Sequence, residues 1–98
     1  MGILYRGALT INSRRLGMPR KSPKHAKAPE LIAVGTTIRS LRSGKSLSQE
    51  ELALKANIDR AYVGGIERGE HNITLMNLIK LSDAIEISLS DLFKHAKL

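Results

Sequence analysis

Leu47-Ser48-Gln49-Glu50-Glu51-Leu52-Ala53-Leu54-Lys55-Ala56-Asn57-Ile58-Asp59-Arg60-Ala61-Tyr62-Val63-Gly64-Gly65-Ile66-Glu67-Arg68-Gly69 is the stretch that decides the fold. Ser48 and Glu51 form a capping box: the hydroxyl satisfies a free backbone N–H of the first turn and the carboxylate reaches back to the cap. Leu47, just before the cap, is placed to staple onto Leu52. Leu52, Ala53 and Ala56 make a short inner face. Asn57 suits the helix exit because asparagine tolerates left-handed φ. After a turn of about three residues (Asn57, Ile58, Asp59), Asp59 caps a second helix with Val63 and Ile66 inward and Gly69 as its stop. Small Ala53 lets the two helices approach closely, and Ile58 plugs the corner. The reading is a helix over 49–56, a tight turn, and a helix over 60–68.

Outward from this pair the punctuation continues. Leu31, Val34, Ile38 and Leu41 recur every three to four residues, one face of a helix flanked by Arg39 and Arg42, which Gly44 is expected to end in a positive-φ conformation. Thr74 opens a fourth helix expected to bury Leu75, Leu78, Leu81 and Ile85. Ser88 and Asp91 repeat the cap pattern before a last helix with Leu92 and Phe93 inside. No segment alternates with period two. The fold class is all-α: a compact five-helix domain over 30–98, preceded by a basic arm over 1–29. A domain of about 60 residues buries only roughly 60% of its chain surface, so a further interface would help it.

The charge is lopsided. Arg6, Arg14, Arg15, Arg20, Lys21, Lys24 and Lys27 lie in residues 1–29, with no acid and with all the prolines (Pro19, Pro23, Pro29). The rest of the chain balances its acids and bases, so the net +7 belongs to this arm. Such a segment cannot bury enough apolar area to offset its ordering entropy and is expected to be mobile. Ile3-Leu4-Tyr5 is too short for a secretory core, and no apolar region follows Arg14-Arg15. A start of translation at Met18, with Met1–Gly17 as an upstream extension, is the alternative expectation for this segment.

Other classes fall away. The chain has no cysteine, hence no disulfide and no thiolate metal site. His25, His71 and His95 lack metal-ligand spacing. No apolar run approaches the roughly 18–20 residues of a membrane span. With 3% aromatic residues there is no stacking platform for single strands. Neither a cluster of acid, base and nucleophile nor a phosphate-binding glycine loop can be named, so an enzyme is not expected, nor a cofactor. The expected location is cytoplasmic, at the nucleoid.

Two short helices joined by so tight a turn are helix-turn-helix syntax, in which the second helix enters the major groove of DNA. Gly35-x-x-Ile38-Arg39-x-Leu41-Arg42, the quoted stretch, Leu75-x-x-Leu78-x-x-Leu81 and Ile87-Ser88-Leu89-x-x-Leu92-Phe93 together resemble the Cro/lambda-repressor-like (XRE-type) helix-turn-helix transcriptional regulators. Asp59-Arg60-x-Tyr62-Val63-x-Gly65-Ile66-Glu67-Arg68 also resembles restriction–modification controller proteins. The resemblance implies a sequence-specific double-stranded DNA-binding regulator with its recognition helix at about 60–68, acting as a homodimer on a two-fold operator.

The resemblance further implies a phosphate contact at Gln49, helped by the helix N-terminus, and a base or phosphate contact at Arg60. Ala61 offers a methyl group. Gly64 and Gly65, expected on the exposed side of the recognition helix, either let its backbone approach DNA or make room for packing. Arg68, His71 and Asn72 lie where the family's next loop follows the phosphates. Arg39 and Lys45 are further phosphate candidates, and Ser48, Asp59 and Tyr62 complete the DNA-facing set. Arg42 and Glu67 match an ion pair between the first and third helices. Met76, Ile79 and Leu89 fall off the inward stripe and are dimer-interface candidates. Glu86 stands where the family has a helix-ending glycine, which implies a less sharp end to the fourth helix. The alternative functions are an antitoxin that also holds a toxin partner, and a protein-interaction module without DNA.

Overall fold

The structure is a computed structural model and describes residues 24–98; most of the basic arm lies outside the described residues. Among the described residues there are five helices: α1 (Pro29–Gly44), α2 (Gln49–Ala56), α3 (Arg60–Glu67), α4 (Leu75–Ala84) and α5 (Leu89–His95). There is no strand among the described residues.

Helices α2 to α5 begin in the same way. Each has an apolar residue, then a capping oxygen, then a fully or nearly buried apolar residue in the second turn: Leu47-Ser48 with Leu52, Ile58-Asp59 with Val63, Ile73-Thr74 with Leu78, Ile87-Ser88 with Leu92. The box at α2 is complete. Glu51 N donates to Ser48 Oγ at 3.0 Å and Ser48 N to Glu51 Oε1 at 2.8 Å. These bonds hold the Glu51 carboxyl below the usual glutamate range. At α4 the staple corrects one expectation. Leu75 is 59% exposed, because Ile73 takes the inward place before the cap.

All five helices also end alike. A left-handed residue (Ser46, Asn57, Gly69, Glu86, Lys97) is followed by an N–H that bonds the carbonyl five residues back. Two expectations change here. Gly44 is the last helical residue and keeps an ordinary φ, while Ser46 makes the left-handed turn at φ 57°. The 3.1 Å bond from Leu47 N to Arg42 O sets that position, since Leu47 must turn inward for its staple. Glu86 adopts φ 63° itself, and Ile87 N closes on Ser82 O at 2.9 Å, so α4 ends as sharply as the others.

Ile38, Leu52, Val63, Leu81 and Leu92 are wholly buried at the centre. Around them α1 packs on α3 and α5, α2 on α3 and α4, and α4 on α5. At the α1–α3 crossing a Cβ on Gly35 would collide with the carbonyl oxygens of Ile66 and Glu67. Only glycine lets the two backbones meet there, which is the physical content of Gly35 in the quoted motif. Residues 24–28 form a turn against the far end of α3. Lys27 N donates to Gly69 O and Lys27 Nζ to Arg68 O, both at 2.6 Å. The last residues of the basic segment are therefore tied to the domain. Among the described residues no helix is long and apolar enough to cross a membrane.

Candidate nucleic-acid interface

Helix α3 is short, and both its ends are anchored. Asp59 Oδ2 accepts from Ala61 N at 3.0 Å and Tyr62 N at 3.3 Å, which fixes the first turn. At the other end Glu67 is clamped. Arg42 Nε and Nη2 donate to its two oxygens at 2.7 and 3.1 Å, and Gln49 Nε2 donates to Oε1 at 2.9 Å. Arg42 Nη1 also donates to Leu47 O at 2.7 Å. The carboxylate pushes the Arg42 pKa up, chiefly through the hydrogen bond. The end of α1, the start of α2 and the end of α3 thus share one ionic centre around the buried Glu67.

Arg60 and Ala61 stand exposed at the start of α3. Among the described residues neither Arg60 nor Arg39 has a hydrogen-bonded partner. Asn72 is exposed beyond the helix. Lys45 Nζ is bridged to Glu86 Oε1 at 2.9 Å, at the end of α4, and this cation lowers the Glu86 pKa.

Three of the predicted positions are covered. Tyr62 is 8% exposed, its hydroxyl accepts from Asn77 Nδ2 at 3.0 Å, and its ring meets His71 edge-on at 4.8 Å. Gly64 and Gly65, expected on the open side, are both buried. Arg68 and Gln49 lie over Gly64, and the His71 ring fills the place of a Cβ on Gly65. The covering groups come from the C-cap and the loop beyond it, which no helical periodicity brings into view. Arg68 is in turn held by Glu70. Its Nε and Nη2 donate to the two carboxylate oxygens at 3.1 and 3.2 Å, and that hydrogen bond raises the Arg68 pKa. Glu70, Asn77 and Lys27 were not among the sequence candidates. Only the opposite charges of Arg68 and Glu70 at short separation hinted at one of them.

The structure therefore brings Gln49, Glu67, Gly64 and Arg68 into one patch beside the exposed Arg60. Among the described residues no acidic or histidine cluster could hold a metal ion.

This arrangement of an anchored helix after a capped helix and tight turn defines a helix-turn-helix protein, and a helix-turn-helix family model matches residues 38–92. The chain belongs to that family of DNA-binding transcriptional regulators. Within it, the chain is similar to proteins named control proteins, to a solved restriction-modification controller protein and to the immunity repressor of Bacillus phage phi105, which is 37% identical over 59 residues, 60% of this chain and 41% of that one. Control protein C.MunI of Mycoplasma sp is 43% identical over 63 residues, covering 63% of this chain and 85% of that protein. Control protein C.BamHI of Bacillus amyloliquefaciens is 41% identical over 62 residues, 62% of this chain and 76% of that one. The crystal structure of the restriction-modification controller C.AhdI from Aeromonas hydrophila superposes with a TM-score of 0.64 at 47% identity, over 65% of this chain and 97% of that one.

Proposed function

We propose that the protein binds a two-fold operator in duplex DNA as a homodimer, lays α3 in successive major grooves, and controls a restriction–modification system, as the name of the solved controller C.AhdI describes for that protein. The observation that carries the reading is Arg60: an exposed arginine, without a hydrogen-bonded partner among the described residues, on the first turn of a helix anchored at both ends. Such a side chain has its fork free for guanine O6 and N7. Gln49, at the start of α2, then serves the backbone. One domain supplies one recognition helix, whereas a two-fold site needs two, about 34 Å apart. Exposed Leu75 and Met76 on α4, with half-buried Ile79, supply an apolar surface for pairing. The cations of residues 1–29 add affinity without regard to sequence by releasing counterions. The protein acts where the genome is, without a cofactor and without catalysis.

Binding-site selection from a randomised duplex library tests the assignment of roles. Arg60→Ala relaxes preference at one symmetric pair of positions, by about 1–3 kcal/mol. Gln49→Ala weakens good and poor sites by a similar factor. Uniform loss with Arg60→Ala would make Arg60 a phosphate ligand instead.

A further inference from the structure

Arg60, Gly64 and Arg68 recur every four residues and so share one stripe along α3 and its C-cap. Helical side chains lean towards the N-terminus, so each covers the turn before its own Cα. Arg68 does this over Gly64. A Cβ at position 64 would stand 3.1 Å from Arg68 Nη1 and 3.6 Å from Gln49 Oε1. The stripe is therefore not bare at its centre. A guanidinium lies there, folded back from the helix end, with 56% of its side chain still exposed.

Glu70 determines which edge of that guanidinium is left. Its oxygens take donors from Nε and Nη2. The planar fork has five donors, so the edge formed by Nη1 and Nη2 keeps a parallel pair. Glu70 also cancels the charge. Its side chain is only 13% exposed, so water screens it little. A neutralised guanidinium gains little from phosphate, where affinity comes from net charge and counterion release. It keeps its directional donors, which is what base edges require.

We propose that Arg68 is a second base-reading residue, presenting its Nη1–Nη2 edge to paired acceptors such as guanine O6 and N7. Glu70 is the positioning residue and Gly64 the gap that admits the guanidinium. The proposal rests on the reading of α3 as the recognition helix. Eight residues of helix span about 12 Å, and Arg68 folds back by about one turn, so its base pair lies roughly two to four steps from that of Arg60.

The test uses the full chain, selection from a randomised duplex library, and titrations of the selected duplex and single-base-pair variants. Arg68→Lys keeps the charge and loses the fork. It should lose preference at one symmetric pair of positions different from that lost in Arg60→Ala, with discrimination there falling about five- to 150-fold and affinity for random duplex hardly changed. Glu70→Gln should weaken the same discrimination and steepen the salt dependence by about one unit of slope, because it frees a cation. Gly64→Ala improves helix propensity, so the domain folds. Its Cβ, 3.1 Å from Arg68 Nη1, pushes the far end of Arg68 aside by a few tenths of an ångström and should weaken the same preference. Equal loss on every duplex in Arg68→Lys or Gly64→Ala, or wild-type preferences in both, overturns the proposal. A wild type that enriches no sequence overturns it together with the reading of α3. Preferences that respond to Arg60→Ala alone remove only the assignment of Arg68.

Discussion

Arg42 on α1 and Glu67 on α3 meet through two hydrogen bonds, Nε to Oε2 at 2.7 Å and Nη2 to Oε1 at 3.1 Å, with 12% and 2% of their side chains exposed. Gln49 and the Leu47 carbonyl complete the cluster, so one ionic centre joins the three helices around the interface. The centre fixes how far α3 stands out from α1, and hence what α3 presents.

Removing Glu67 leaves the Arg42 guanidinium buried without its counter-ion. Glu67→Ala should cost about 3–5 kcal/mol, a large part of the stability of a domain this small. Urea unfolding measures it. Replacing Arg42 and Glu67 together by apolar residues of similar size should cost much less than either single change. A wild-type midpoint for Glu67→Ala would mean that the pair contributes nothing.

The end of α1 places its glycine at the wrong position. Gly44 has a helical φ and open space around it, and Ser46 carries the left-handed turn. Gly44→Ala removes a helix breaker, and Ser46→Gly relieves a conformation that disfavours a Cβ. Together they should raise stability by about 1 kcal/mol. Thermal melting checks this, and a fall in the midpoint for the pair would contradict the described helix end.

Met76 is 61% exposed beside Leu75, so a charge there leaves the monomer intact. Met76→Glu should shift the protein from dimer to monomer in sedimentation at micromolar concentration and lower affinity for a two-fold operator while leaving the fold unchanged. A wild type that is monomeric and binds without cooperativity would remove the dimer from the account.

What was legible in the residues was local. Ser48, Asp59, Thr74 and Ser88 announce four helix starts because a capping oxygen acts within three residues of itself. Leu52, Val63, Leu81 and Leu92 follow from periodicity. The Arg42–Glu67 pair spans twenty-five residues and came only through the family resemblance. Leu75 was misread because the stapling residue Ile73 precedes the cap and takes the inward place. Gly44 and Glu86 were misread because a left-handed stop is set by the bond that closes it, and any residue held firmly enough can occupy it. Gly64 and Gly65 looked open since their covers, Arg68 and His71, reach back from beyond the helix.

The most direct measurement is the affinity of the full chain for its selected duplex against a scrambled duplex of equal length, at physiological salt. A specific regulator should prefer the selected duplex by at least about 10³, and Arg60→Ala should cut that ratio while leaving the scrambled duplex nearly unaffected. Equal affinity for the two duplexes, falling in parallel with salt, would mean that the protein binds DNA through charge alone and that α3 reads nothing.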